Sequence, residues 1–344
     1  MTLTLLILAL VVIAALLFWP GSGVVSRWRE ARQRLGRRRR EDALKHILKC
    51  EVNGQEPTLN SVAGALHMRI GDTAELLAEM DRQQFVSHAG GKLSLLAAGR
   101  ELALHIVRAH RLWESHLAEQ TGVAEANWHR LAERKEHQLT PEQVDALAAR
   151  LGHPTHDPHG DVIPAGGAAL DADRGQPLNA APVNVALRIV HIEDEPESVY
   201  ARLLALGLRP GMRGCLLARS AEGLRLWADG REIELTAMEA SNIAFVALRG
   251  ISPEDLFEEE FLSDLRPGER TKVLHLSAAA RGAERRRLLD LGFVPGTAVE
   301  VDMISPTGDP VAYRLRGTVI ALRREQARMI RIGHRETVNP AISA

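Results

Sequence analysis

The amino-acid sequence predicts an α+β multidomain chain: a transmembrane helix, a winged helix-turn-helix, an all-α domain and two small β-barrels. Three observations carry this prediction. An uninterrupted apolar run opens the chain, helical periodicity broken by one hairpin fills residues 41 to 151, and the C-terminal half repeats itself. At 344 residues the chain exceeds one typical domain of about 100 to 200 residues, so several small cores are expected. Lys plus Arg total 43 and Asp plus Glu 44, a net charge of -1, so any attraction for nucleic acid must be local. The apolar share of 45% excludes a disordered chain, and 4% aromatic residues argue against an all-β carbohydrate binder. Cys50 and Cys215 form no CxxC pair, which excludes a disulfide scaffold and a thiolate zinc site.

The first element is the run Leu3 to Trp19, apolar except for Thr4, which as a helix at ~1.5 Å per residue crosses a ~30 Å hydrocarbon core. Pro20, Gly21 and Gly23 end it. A secretory signal carries its positive charge before the apolar stretch, whereas Arg27, Arg29, Arg32, Arg34 and Arg37 to Arg40 all follow it. The positive-inside rule then places the N-terminus outside and the body in the cytoplasm, a single-pass protein of a bacterial-type inner membrane. Residues 1–20 are read as the anchor and 21–40 as an Arg-rich juxtamembrane segment.

Residues 41–100 follow as EDALKHILKC, LNSVAGALHM, GDTAELLAEMDRQQ and FVSHAGGKLSLL, three helices and a hairpin with Gly90 and Gly91 at its turn, the order of a winged helix-turn-helix. Residues 101–165 hold three more helices, in LALHIVRAHRLWESHL, EANWHRLAERKEHQL and PEQVDALAARL. The Pro-, Gly- and Asp-rich stretch after them leads into a linker over 166–176. LALGLRPGM at Leu204 to Met212 then aligns with LDLGFVPGT at Leu289 to Thr297, and the flanking strands align too, so 177–248 and 262–333 are read as two copies of one small β-barrel. SPEDLFEEE makes 249–261 an acidic, solvated connector, and 334–344 is a tail.

Chemistry-bearing residues concentrate on two helices. His110 and Glu114 are four apart and share a helix face, while His129, Glu133, Glu136 and His137 fall within an arc of about 100° on the next helix. Each pair alone reads as a surface hydrogen bond; together they offer six nitrogen and oxygen donors. Carboxylates buried in a helical core carry costly unpaired charge, which a divalent cation neutralises compactly. Carboxylate and imidazole without thiolate suit manganese(II) or iron(II), although zinc, cobalt and nickel also bind such sets. HExxH is absent and no Ser or Cys nucleophile stands beside a positioned base, so no enzyme is expected.

These residues resemble the metal-dependent repressors related to diphtheria toxin repressor and the manganese regulator MntR, over roughly residues 41 to 164. AHRLWESHL, HRLAERKEHQL and DPHGDVIP reproduce that family's HRLxE, its ligand pairs ending in Glu-His, and its closing PHGxxIP. The resemblance implies an all-helical metal-binding and dimerisation domain, a homodimer, and one or two manganese(II) or iron(II) ions per subunit held by His110, Glu114, His129, Glu133, Glu136 and His137. Glu133 stands where the iron regulators have Cys and the manganese type has Glu. The resemblance also adds Asp42 from the first helix of the winged domain. The next ligand position of the manganese type is Lys45, and an ammonium cannot coordinate. LGLRPGM and LGFVPGT resemble the LGhxPGx core of the FeoA or SH3-like domain, which implies two SH3-like barrels over 177–333. In related repressors this domain can donate a ligand, and Glu195 or Glu197 lies near the corresponding place.

DNA contact is expected from Arg69, Thr73, Arg82 and Lys92, a weak set, because the reading helix also presents Asp72, Glu75, Glu79 and Asp81 to the phosphates. Two functions follow. One is a membrane-anchored, metal-dependent repressor of metal homeostasis. The other is a membrane-localised metal sensor or accessory of a ferrous transporter that no longer reads DNA.

Overall fold

The computed structural model describes residues 19, 23–165, 175–258 and 260–337. The described residues form two compact units, the first drawn from Met1–His110, Glu133–Val144 and Pro164–Ala172, the second from Arg111–Ala132, Asp145–Ile163 and Asp173–Ala344.

Helix α1 (Val24–Val52) runs far longer than the segment expected to start at residue 41. The Arg-rich stretch is part of it, because Arg, Glu and Gln favour helix and the charges pair one turn apart: Arg34 with Glu30 at 3.2 Å, Arg37 with Glu41 at 2.6 Å and Arg38 with Asp42 at 3.8 Å. Only its last turns are buried. Ala43, Leu44, Ile47 and Leu48 recur on one face and form a core with Val62, Leu77, Met80, Val86, Ala103 and Val107. Helix α2 (Leu59–Ala65) starts at a reciprocal cap in which Thr58 Oγ1 accepts from Ser61 N–H at 3.1 Å and Ser61 Oγ from Thr58 N–H at 2.9 Å. Helix α3 (Ile70–Arg82) and the antiparallel strands β1 (Val86–Ser87) and β2 (Ser94–Leu95) complete the winged arrangement, with a helical turn at Ala89–Gly91 in place of a tight glycine turn.

Three helices follow: α4 (Ala97–Gln120), α5 (Trp128–Glu136) and α6 (Pro141–Arg150). The last begins at a sequence-legible cap, Thr140 Oγ1 accepting from Gln143 N–H at 3.3 Å, with proline at the first helical position.

The internal repeat is a structural repeat. In the first copy, β4 (Ala186–Ile192), α7 (Glu197–Ala205), β5 (Arg213–Arg219), β6 (Leu224–Ala228), β7 (Arg231–Leu235), α8 (Ala237–Ser241) and β8 (Ile243–Ala247) form a sheet ordered β8-β4-β5-β6-β7, with β3 (Gln176–Pro177) added beside β8. The second copy has the same succession after a short α9 (Pro253–Phe257) and β9 (Glu260–Phe261). It consists of β10 (Glu269–Leu276), α10 (Gly282–Asp290), β11 (Ala298–Ile304), β12 (Val311–Leu315), β13 (Thr318–Leu322), α11 (Arg324–Ala327) and β14 (Ile330–Ile332), with order β14-β10-β11-β12-β13. Each has its own apolar core, one around Leu187, Leu203 and Leu226 and the other around Phe293, Tyr313 and Ile330. The acidic connector is more than solvated chain: Ser252 caps α9, and Leu256 is buried against Ala186 and Cys215.

The expected single-pass membrane placement is corrected. Among the described residues no helix is long and apolar enough to cross a membrane; the longest, α1, is charged along most of its length. The run from Leu3 on which the placement rested lies, apart from Trp19, outside the described residues, as do 166–174 of the linker and 338–344 of the tail.

Candidate metal centre

The acidic and imidazole residues gather into two groups, one in each unit. The first joins α1 to His110 of α4 and to the end of α5. Glu41, Asp42 and Lys45 lie within one turn of α1 and so share a face. The His137 ring sits between two carboxylates, its Nδ1 2.7 Å from Glu41 Oε2 and its Nε2 3.0 Å from Asp42 Oδ1. Burial opposes a charged ring, but the bonds to Asp42 and Glu41 outweigh it and push His137 up to about 9. Glu136, only 1% exposed, takes Lys45 Nζ at 3.0 and 3.2 Å on its two oxygens and the His110 ring on one of them. Burial alone would raise its pKa; the Lys45 ammonium and the His110 ring bring it down to about 2.

The second group is built from Glu114 on α4, His129 on α5, His159 on the loop after α6, and Asp194 just past β4. Glu114 Oε1 lies 3.4 Å from His129 Nδ1 and Oε2 lies 3.4 Å from His159 Nδ1, while Asp194 Oδ2 lies 2.7 Å from His129 Nδ1. One donor atom each from Glu114, His159 and Asp194 falls within 4.8 Å of the others. Burial disfavours the charged His159 ring, yet Glu114 beside it pushes it up to about 9. Burial likewise disfavours the Asp194 carboxylate, and His129 more than offsets this, holding its pKa well below the usual carboxylate range.

Local chain chemistry explains why His159 arrives here. Asp157 Oδ1 accepts from the backbone N–H groups of His159 and Asp161, both at 2.9 Å, which folds DPHGD into a tight loop. Arg111 braces it, 3.8 Å from Asp157 and 3.4 Å from Asp161. Gly160 has φ +94°, and a Cβ there would lie 1.9 Å from the Val190 carbonyl oxygen, so only glycine lets the loop lie against the strand. The His159 ring then stands edge-on to Tyr200, centroids 5.2 Å apart.

Two imidazoles and two carboxylates, with Glu114 and His159 nearly fully buried, form a donor set that fits a divalent cation. The buried His159 Nε2 has no hydrogen-bond partner among the described residues. Of the residues expected from sequence, Asp42, Glu136 and His137 offer donor atoms within 4.8 Å of one another, the His110 ring bonds Glu136, and Glu114 and His129 meet in the second group; Glu133 is half-buried. His159 and Asp194 were not expected as donors. The PHGxxIP motif contained the signal for His159, and Asp194 immediately precedes the Glu195 noted above.

On the winged domain, the Arg69 guanidinium holds Asp72 at 2.9 and 3.1 Å, Arg82 holds Glu79, and Lys92 holds Glu56. Thr73 is corrected as a DNA contact: it is fully buried and its hydroxyl donates to the Arg69 carbonyl at 3.0 Å.

The chain is similar to known proteins in the same places. The family described as iron dependent repressor, metal binding and dimerisation domain matches residues 97–165, and the FeoA domain matches 261–333. The iron-dependent repressor IdeR of Mycobacterium leprae is 28% identical over 206 residues, 55% of this chain and 88% of that protein. A probable metal transport system membrane protein of Chlamydia trachomatis is 40% identical over 83 residues, 24% of this chain, which thus spans only 18% of that protein. Among solved structures, a manganese-dependent transcriptional repressor in complex with manganese aligns at a TM-score of 0.55 and 26% identity, over 60% of this chain and 99% of its own. Two stretches of the chain therefore match family models, residues 97–165 the metal-binding and dimerisation domain of iron-dependent repressors and residues 261–333 the FeoA domain.

Proposed function

We propose that this chain is a metal-dependent transcriptional regulator, a homodimer that takes up manganese(II) or iron(II) and controls DNA binding by its winged domain. The observation that carries the reading is the group of Glu114, His159 and Asp194, whose donor atoms lie within 4.8 Å of one another, with half-buried His129 beside Glu114 and Asp194. A bound divalent cation would supply the positive charge that two facing carboxylates in a buried site need. The chain's own part is to present the donors: α4 and α5 fix Glu114 and His129, the DPHGD loop fixes His159, and the first β repeat contributes Asp194. Filling the site restrains the segments that carry these donors, which is how ion binding shifts a population of conformations.

The test is fluorescence anisotropy of the full chain on duplex DNA from upstream of its own gene, at low salt, with and without manganese(II). At least tenfold tighter binding with the ion is expected; equal affinity in both conditions overturns the reading. A second reading, a winged domain that contacts protein, is favoured by the pairing of Arg69, Arg82 and Lys92 with carboxylates of the chain and by an α3 surface of Ile70, Gly71, Ala74, Glu75 and Ala78. No DNA affinity at any ion concentration would select it.

Proton competition follows from His159. With a pKa near 9 in the ion-free chain, its ring is protonated at pH 7.5 and must lose that proton to coordinate. Ion uptake at pH 7.5 is expected to release about one proton per ion, and affinity to rise with pH up to about 9 and then level off. Calorimetric titration in buffers of different ionisation enthalpy measures this; an enthalpy independent of the buffer would contradict it.

A further inference from the structure

The first group of charged residues behaves differently from the second. Glu136 is 1% exposed and His110 6%, so a charge on either requires a partner inside the protein. That partner is already in place: Lys45 Nζ lies 3.0 and 3.2 Å from the two Glu136 oxygens and 3.3 Å from His110 Nδ1. These are hydrogen-bond separations. One turn back along α1, Glu41 and Asp42 are engaged with the His137 ring, and Glu41 also with Arg37. Every carboxylate of the group therefore faces a nitrogen cation or ring of the chain itself.

We propose that Lys45 is a tethered cation, its ammonium taking the place of a divalent ion at Glu136 and His110, so that the buried Glu136 charge is met without metal and α1 is fastened to the end of α5 by the protein alone. An ion entering between Glu136 and His110 would have to displace the ammonium and would be repelled by it. The inference rests on the metal-binding reading only in taking the other group, at Glu114, as the ion's site.

Counting ions on the full chain tests it. Wild type, K45A, K45L and E136Q are saturated with manganese(II), freed of excess by gel filtration, and assayed by mass spectrometry of the metal. K45L keeps apolar volume at the position while removing the charge. Both Lys45 variants are expected to retain one more ion per chain than wild type, E136Q to leave the wild-type count unchanged, and E136Q combined with K45A to lose the added ion. The proposal is overturned if both folded Lys45 variants keep the wild-type count, or if E136Q lowers the count in the wild-type background. The E136Q measurement decides the matter even where a Lys45 variant fails to fold. Failure of the metal-binding reading has a different signature, a wild-type chain that retains no ion, against which a gain in K45A is still legible.

Discussion

Glu114→Ala is expected to abolish retention of manganese(II) through gel filtration, with affinity lower by more than ~100-fold, beyond the 10–100-fold typical of groups that merely support a ligand. Both carboxylate oxygens of Glu114 face imidazoles, one toward His129 and the other toward His159, so its removal takes a donor from the centre of the set and the carboxylate that faces His159 Nδ1. The corresponding loss for Asp194→Ala should be smaller, because Asp194 approaches one imidazole, His129 at 2.7 Å, whereas Glu114 faces two. Calorimetric titration of both variants checks the order. Equal, unchanged affinities would remove Glu114 from the site altogether.

Gly160→Ala is expected to cost ~3 kcal/mol or more in stability of the second unit, read from urea unfolding, and to weaken ion binding with it. Two effects combine. A left-handed φ of +94° disfavours any residue with a Cβ, and the added carbon would meet the Val190 carbonyl oxygen at 1.9 Å, an atom fixed in the sheet. The loop must lift, and His159 lifts with it. A Gly160→Ala chain of unchanged midpoint and unchanged ion affinity would show that the loop carries no such constraint.

Much of this architecture was legible from residue types and spacing. Helical periodicity placed α2 to α6, and the LGLRPGM and LGFVPGT segments exposed a duplication that the sheet orders of the two copies repeat strand for strand. The helix positions of His110, Glu114, His129 and Glu136 were legible for the same reason, since neighbours at three and four residues share a face, while His137 lies one residue past the end of α5. What spacing could not supply was pairing across the chain. Asp194 lies 65 residues beyond His129 in a segment with no periodic signal, and its role depends on where a strand ends. His159 depends on a loop held by side-chain to backbone hydrogen bonds. The helix of the Arg-rich stretch was hidden because its charge drew attention to lipid, while its intervals of four residues already paired Arg with Glu and Asp. Lys45 could be recognised as a poor ligand from its chemistry, but its approach to Glu136 required coordinates.

Asp194 sits past β4, well outside the 97–165 segment that matches the metal-binding family. A fragment trimmed to that segment would keep the helices that look sufficient and yet lack one of the carboxylates, and its weakened uptake would be mistaken for a property of the parent. Biochemical work on this protein should therefore carry the chain at least through residue 248, so that the carboxylate of Asp194 stays with the donors of the helical segment.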